Sequence, residues 1–448
     1  MSKDAETISD AANLHRTKRN VAKAGDSDHS NLPTLFRDRS FWAMTITQFL
    51  GAFNDNVYKQ ILLLLTVTVA FDSSGQTADY QWLVNILFSV PFVLFSGIAG
   101  FWSDRTSKGT IIVWCKFLEI VVMAAGAVAF YFMPIRGLPW GPLAALFFMG
   151  MQSALFGPSK YGILPEMVRA SDLPRFNGII QMTTFIALIL GIPLAGALKF
   201  HLGNDRLWMA GFVCIGIALV GTMTSLGVRR TPVADQGARF TWSAMAVSHE
   251  TWRMMRQSRA IGFALLVYSL FWFVAAIVPM ATNATGKRQM GLNDESTSMM
   301  LACVAVGIAV GCPLAGCLSR GRVNFALVRI GAWGICVCLG LMAAAPLIPR
   351  PGLAYLACQL VLGAAGIFVG LLAVPLQVFL QTSPPDEQKG RTIGTMNLIN
   401  WIGIIASGGY YFVCDRLASM LGWPPSSIFA MTAVLLLPVA VLYRPRSE

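Results

Sequence analysis

The chain has 448 residues, of which 55% are hydrophobic and 12% are charged, and its formal net charge is +12. So few charged residues cannot cover the surface of a soluble globule of this size, which excludes an ordinary soluble protein. Apolar runs of about 20 residues, long enough to cross a bilayer as helices, recur along almost the whole chain after residue 40. The composition therefore predicts an all-α polytopic membrane protein.

The first 40 residues are polar and basic, and they lack the apolar core and cleavage site of a secretory signal. Twelve apolar spans follow, and the longest polar interruption divides them into six and six. The predicted organisation is a disordered cytoplasmic tail at 1–40, a six-helix bundle at 41–228, a central cytoplasmic loop at 229–258, a second six-helix bundle at 259–443 and a cytoplasmic tail at 444–448. The predicted spans lie near 41–71, 80–102, 110–133, 141–158, 176–200, 207–228, 259–282, 297–318, 323–346, 353–380, 392–413 and 424–443.

The distribution of Lys and Arg predicts the orientation, because cytoplasmic loops retain positive charge. The connections on the side of the N-terminus carry 24 of these residues, and those on the opposite side carry 7. The chain is therefore expected to cross the plasma (inner) membrane several times, with both termini in the cytoplasm. The basic excess reflects topology and contact with anionic lipid rather than nucleic acid.

Several chemistries lack their sequence signatures. The nine cysteines are scattered through the apolar spans without a C-x-x-C pair, so neither a disulfide framework nor a metal site is expected, and no cofactor is expected either. The chain has no G-x-x-x-x-G-K-[ST] phosphate loop of an ATPase and no His-x-x-x-x-Asp signature of an acyltransferase. These observations favour a transporter over an enzyme.

The stretch QFLGAFNDNVYKQ, residues 48–60, places polar and charged groups inside the first apolar span. Asp55 lies 14 residues beyond Phe41, about 21 Å along a helix and hence past the bilayer midplane. An acid at that depth costs roughly 2.5–3.5 kcal/mol, so it should face protein or a wet cavity. Lys59, four residues on, is expected either to pair with Asp55 or to extend towards the membrane surface.

Three further charges lie within predicted spans. Lys116 and Glu119 are three residues apart on the third span, where they can neutralise each other on one helix face. Arg329 has a comparable depth on the ninth span. We expect structural charge pairing for all three residues.

Four helix ends resemble one another and suggest an internal repeat of helix triplets. They are SGIAGFWSDR (96–105), IPLAGALKF (192–200), CPLAGCLSRGR (312–322) and, more weakly, ASGGYYFVCDR (406–416). They belong to spans 2, 5, 8 and 11. Small residues at these matching positions would allow close helix crossings.

The twelve spans and the pattern G-x-x-x-D-R-x-x-K between spans 2 and 3 resemble the major facilitator superfamily. The pattern falls on Gly100, Asp104, Arg105 and Lys108, and its charged groups could latch one conformation through charge-assisted hydrogen bonds. The equivalent loop of the second half, SRGRVN at 319–324, has no acid, so the pattern predicts no matching latch there.

Two motifs, QFLGAFNDN at 48–56 and FGPSKYGILPEMV at 156–168, resemble the lysophospholipid transporters of that superfamily. The resemblance implies lipid flippase activity that moves lysophospholipids from the outer to the inner leaflet of the inner membrane by alternating access. It also implies a separate or fused partner, an acyltransferase with an acyl carrier synthetase, that reacylates the product in phospholipid remodelling. The functional acid and lysine of that family fall on Asp55 and Lys160.

The expected substrate site combines these two charges with neighbouring polar groups. Asp55 would meet a headgroup amine, and Lys160 with Tyr161 would hold the lipid phosphate. The expected hydrogen-bond partners of the headgroup are Gln48, Asn54 and Asn56. A carrier of another small solute would have the same fold and is the alternative; in a proton-coupled carrier Asp55 or Glu119 would titrate instead of binding an amine.

Overall fold

The structure is a computed structural model that describes residues 34–70, 77–133, 137–169, 172–233, 258–319, 324–383 and 389–442. The first 33 residues of the predicted N-terminal tail, most of the central loop, residues 320–323 of SRGRVN and the C-terminal tail lie outside these ranges.

The first half contains six long helices. They are α1 (Arg39–Thr66), α2 (Gln81–Arg105), α3 (Lys108–Tyr131), α4 (Trp140–Gly162), α5 (Leu173–Leu202) and α6 (Trp208–Ser225). One helical turn, Leu164–Met167, joins α4 to α5, and the two-residue strands β1 (Val69–Ala70) and β2 (Thr77–Ala78) pair antiparallel between α1 and α2.

The second half repeats this arrangement of long helices. They are α7 (Arg259–Ala284), α8 (Asp294–Ser319), α9 (Phe325–Ala344), α10 (Pro351–Thr382), α11 (Lys389–Met420) and α12 (Ser427–Leu442). A π-helical turn, Thr285–Gln289, extends α7. Within the described ranges the twelve long helices confirm the predicted all-α fold in two six-helix halves.

Some helices end at residues other than those of the predicted spans, because a helix can continue through polar residues or stop before an apolar run ends. The first helix ends at Thr66 rather than at 71, and α11 continues to Met420 rather than stopping near 413. Asp415 lies in this added segment and accepts a hydrogen bond from Arg288, so its carboxylate is satisfied without ending the helix. At the start of α1, Asp38 caps the helix by accepting a hydrogen bond from the Ser40 amide at 2.8 Å.

Eight of the described helices are long and apolar enough, by length and composition alone, to cross a membrane. They are α2, α3, α5, α6, α7, α8, α9 and α10. Of the remaining long helices, α1 and α11 are more polar, α4 is as apolar as α8, and α12 is an apolar helix of 16 residues. The more polar helices are those expected to line a path through a transporter rather than to face lipid.

The two halves pack by the same plan. In the first half α1 packs against α5, α2 against α4, and α3 against α6. In the second half α7 packs against α11, α8 against α10, and α9 against α12. Contacts between the halves are made chiefly by α5 with α8 and by α2 with α11. These four helices are the ones that carry the matching helix ends seen in the sequence.

Candidate functional site

Asp55 faces α4 from the middle of α1. Its Oδ2 accepts a hydrogen bond from Ser153 Oγ at 2.7 Å, and the side chain is half-buried. The charged groups near enough to interact with it electrostatically include Lys116, Glu119 and Lys160, together with Lys59 one helical turn further along α1. Asp55 therefore has a polar anchor from α4 and lies within an interior region that contains charges of both signs.

A buried charge pair lies behind Asp55, between α1 and α3. Lys116 Nζ is 2.6 Å from Glu119 Oε2, and both side chains are 1% exposed. Asn54 Nδ2 donates to the other carboxylate oxygen at 2.8 Å. A Cβ on Gly51 would lie 2.4 Å from Lys116 Nζ, so glycine leaves the space that the ammonium occupies. This arrangement directs the Asn54 amide into the helix bundle, where it cannot serve as the expected headgroup partner.

Two other predicted headgroup partners also bind neighbouring protein groups. Gln48 is buried and donates to Thr184 Oγ1 at 2.5 Å, while its Oε1 accepts from Thr183 at 3.0 Å. Asn56 donates to Ala52 O of its own helix at 2.7 Å. Gln48 thus fastens α1 to α5, and the expectation that these amides face a headgroup is not met in this conformation.

Lys59 does not form the expected ion pair with Asp55 within the part of the chain that the structure describes. Its Nζ instead lies 3.4 Å from Asn85 Oδ1 and 4.7 Å from the centre of the Phe88 ring. Both neighbours belong to α2. The ammonium is therefore directed towards the junction between the halves rather than along its own helix.

The other predicted cations have contrasting surroundings. Lys160 is half-buried at the end of α4, with its Nζ 4.8 Å from the centre of the half-exposed Tyr161 ring. Arg329 is exposed, and its expected ion pair is not found among the described residues. It lies only four residues into α9, where a long side chain can reach the membrane surface instead.

One end of the bundle is closed by polar contacts between the halves. We call it the sealed end; it carries the α1–α2 and α7–α8 connections. The sealing network consists of Gln60, Asp79, Gln81, Asn283, Arg288 and Tyr411.

Side-chain amides form the inner part of the sealing network. Gln60 donates to Asn283 Oδ1 at 3.2 Å, and Asn283 donates in turn to Gln81 Oε1 at 3.0 Å. Gln81 then donates to Met280 O at 3.1 Å. These groups are buried and form a continuous chain of hydrogen bonds. Opening the sealed end would therefore expose several of them, or leave them without a partner, at the same time.

Charged groups form the outer part of the network. Asp79 Oδ2 accepts from Tyr411 at 2.8 Å and from Arg288 at 3.3 Å, and Arg288 also bonds Asp415 at 2.6 Å. Burial raises the pKa of Asp79 to about 6, with Asp415 contributing in the same direction. The carboxyl is still mostly ionised at neutral pH, so Arg288 keeps an anionic partner there.

A second ion-pair cluster joins α5 to α8 at the same end. Asp294 bonds Lys287 and lies 3.7 Å from Lys199. The sealed end is therefore closed along both pairs of interface helices. Farther from the sealed end, Phe92 of α2 stacks on Trp401 of α11, with ring centres 3.7 Å apart.

The family model of the Major Facilitator Superfamily matches residues 41–408, most of the chain. The chain belongs to the Major Facilitator Superfamily. It is thus a polytopic membrane transporter protein by family.

Among curated members of the superfamily, the chain is similar to the lysophospholipid transporter LplT of Klebsiella pneumoniae (strain 342). The two are 27% identical over 433 residues, which is 93% of this chain and 98% of the relative. LplT of Yersinia pestis (strain Pestoides F) is 28% identical over 365 residues, 81% of this chain and 82% of the relative.

Solved superfamily structures share the fold at lower sequence identity. A POT family transporter in complex with a thioalcohol-conjugated peptide has a TM-score of 0.70 at 13% identity, covering 92% of this chain and 97% of the other. A bacterial homologue of the human lysosomal transporter Spinster, inward-facing and unoccupied, has a TM-score of 0.63 at 16% identity, covering 91% and 96%.

Within the described residues, the predicted latch residues are not seen to bond the second half. Asp104 and Arg105 are exposed, and a Cβ on Gly100 would meet nothing within 4 Å. Lys108 is buried and bonds Glu166 in the turn after α4 at 2.5 Å. Among the described side chains, this end of α2 is therefore tied to its own half.

Neither Ser153 nor the residues of the sealing network belong to a motif that marks them as functional in the sequence. The available signal was the occurrence of amides within apolar spans, as at Gln60, Asn85 and Asn283, because polar groups at membrane depth are costly unless bonded. Their partners are more than 200 positions away in the chain for Gln60 and more than 300 for Asn85.

Proposed function

We propose that this superfamily member transports lysophospholipids across the inner membrane, from the outer to the inner leaflet, by alternating access. The observation that carries the proposal is the near-full-length similarity to proteins named lysophospholipid transporters. The half-buried Asp55 carboxylate in the middle of α1 also supports the proposal. It accepts a hydrogen bond from Ser153 and could bind a headgroup amine.

The proposed orientation places both termini in the cytoplasm. The sealed end then faces the outside, and the structure corresponds to an inward-open state. Exchange with an outward-open state would require the sealing network to break and the opposite ends of the interface helices to approach each other. In that state Gly100, Asp104 and Arg105 would lie close enough to the second half to act as the latch.

The proposed role is transport rather than catalysis. Reacylation of the delivered lysolipid would fall to a partner enzyme, an acyltransferase with an acyl carrier synthetase. Lys160 and Tyr161, at the cytoplasmic end of α4, are proposed to contact the lipid phosphate as the headgroup leaves.

The test measures inward movement of labelled lysophosphatidylethanolamine in proteoliposomes. The wild type should move this lipid and not diacyl phosphatidylethanolamine, and Asp55→Asn should lose most of the activity because an amide cannot balance the ammonium charge. Thermal unfolding and gel-filtration profiles would verify that the variant is folded. Absence of lysolipid movement by the wild type would contradict the proposal and favour a small-solute carrier.

A further inference from the structure

Lys59 is an interior cation whose direct contacts are all with neutral groups, and the Asp55 carboxylate acts on it electrostatically without forming an ion pair. It lies seven residues before the end of α1, about 10 Å along the helix from the sealed end. Its side chain is half-buried, and the groups around its Nζ are the Asn85 carbonyl oxygen and the Phe88 ring. Among the described residues no carboxylate oxygen lies within 4 Å of it.

Other buried cations near the interface or behind the site have acidic partners. Lys116 pairs with Glu119, and Lys199 lies within ion-pair distance of Asp294. An ammonium inside the membrane is costly, and a 3.4 Å amide contact with one aromatic face balances only part of that cost. Lys59 is thus available to bind an anion.

The position of Lys59 is fixed from the other half of the molecule. Asn85 donates its Nδ2 to Ile404 O at 2.9 Å and to Ser407 Oγ at 3.2 Å, both on α11. With the amide nitrogen held in this way, the Asn85 Oδ1 is directed back towards Lys59. The ammonium therefore lies directly under the sealed end, where α1, α2 and α11 meet, and cannot extend outward to the membrane surface.

Asp55 and Lys59 lie one helical turn apart, about 6 Å along the axis, on the same side of α1. Each is held by a different neighbour, Ser153 of α4 for the acid and Asn85 of α2 for the base. The two opposite charges are therefore kept apart rather than neutralised by each other. Such a separated pair is complementary to a zwitterion whose phosphate and ammonium are joined by two carbons.

We propose that Lys59 binds the phosphate of the lysolipid headgroup in the inward-open state while Asp55 binds its amine. This inference rests on the proposed function and deepens it, because it assigns the zwitterionic ethanolamine headgroup to the site. It also moves primary phosphate binding from Lys160, near the exit, to Lys59, beneath the sealed end.

The two charges give different substrate dependences. Lysophosphatidylglycerol keeps the phosphate and lacks the amine, so it should depend on Lys59 and much less on Asp55. Lysophosphatidylethanolamine should depend on both. A purely structural role for Lys59 would instead lower the maximal rate for both lipids without a change in apparent KM.

The experiment compares apparent KM values for these two lysolipids in proteoliposomes of wild type, Lys59→Met, Lys59→Arg and Asp55→Asn. We expect Lys59→Met to raise both KM values about tenfold or more, because a hydrogen bond to a charged group is lost. Lys59→Arg should stay close to wild type. Arg329→Met, which removes one exposed cation outside the site, is the matched control and should leave both KM values unchanged.

The outcomes separate this inference from the proposed function. If the wild type moves both lysolipids but Lys59→Met has the same KM values as the wild type, the phosphate assignment is wrong. If the wild type moves neither lipid, the proposed function fails, and the inference fails with it. If glycerophosphoethanolamine, which has no acyl chain, competes with labelled lysolipid as strongly as unlabelled lysolipid does, the ligand of Lys59 is not a lipid.

Discussion

Charged residues inside this transporter have distinct surroundings, and these surroundings distinguish structural from binding roles. Lys116 and Glu119 neutralise each other at 1% exposure, and Glu119 also accepts a hydrogen bond from the Asn54 amide. Asp55 and Lys59 have one polar anchor each and stay unpaired with one another. Only the second pair retains charge that a substrate could use.

Replacing one member of the buried pair should therefore destabilise the fold more than replacing both. Lys116→Met leaves Glu119 as an uncompensated buried charge, and we expect it to cost about 3–5 kcal/mol of stability. The double variant Lys116→Met/Glu119→Leu should recover most of this loss, since no lone charge remains. Thermal unfolding in detergent, followed by tryptophan fluorescence, measures both effects.

The matched control is Arg329→Met, because that cation is exposed and should be nearly neutral for stability. A Lys116→Met variant that unfolds at the wild-type temperature would contradict the structural role assigned to the pair.

At the scale of single helices, the sequence predicted that the helices exist and in which order they follow, but it did not predict which face of each helix points into the protein. All twelve predicted spans correspond to helices, because length and hydropathy depend on the local chain alone. The orientation of α1 could not be predicted, since most spans are apolar on several faces and periodicity then gives no single buried stripe. Gln48 and Asn54 therefore seemed available to a headgroup, whereas α5 and the Lys116–Glu119 pair bind them.

The crossing of α8 and α10 gives a prediction at this scale. A Cβ on Gly366 would lie 2.2 Å from Val304 O, a backbone atom of α8 that cannot rotate away. Gly366→Ala should force the helices apart and cost about 1–3 kcal/mol, despite the higher helix propensity of alanine. The change in unfolding temperature relative to wild type measures this cost.

Gly340→Ala on α9 is the matched substitution, because a Cβ there meets nothing within 4 Å. It should be neutral or slightly stabilising. Equal unfolding temperatures for the two glycine variants would show that the crossing tolerates a side chain.

At the scale of the whole molecule, the glycines of the repeated helix ends lie on the helices that form the interface between the two halves. Their packing is close at the sealed end and loose at the opposite end. At the sealed end, a Cβ on Gly196 would lie 2.5 Å from Ser298, and one on Gly408 would lie 2.7 Å from Ile86. At the opposite end, Gly100 and Gly316 have nothing within 4 Å of the same position. Gly100, Gly196 and Gly316 occupy matching places in the internal repeat and Gly408 lies in its weaker fourth copy, yet only Gly196 and Gly408 are in close contact with the other half in this conformation.

The repeat explains this difference if the halves close alternately. When the open end closes, α2 and α8 would bring Gly100 and Gly316 against the opposing half, as Gly408 and Gly196 lie now. A large side chain at Gly316 would then fit in the present conformation and would obstruct the conformation in which the open end has closed. A large side chain at Gly196 should have the reverse effect. Both variants should lower transport, but by trapping opposite conformations.

Pulsed spin-label distances across α5 and α8, measured at each end of the bundle, test this expectation. Gly316→Leu should keep the short sealed-end distance and remove any population with a short distance at the other end. Gly196→Leu should lengthen the sealed-end distance, and Gly216→Leu, at an open position on α6, should match the wild type. Wild-type transport by Gly316→Leu, or the same distance distributions in both interface variants, would refute the proposed exchange of contacts between the two ends.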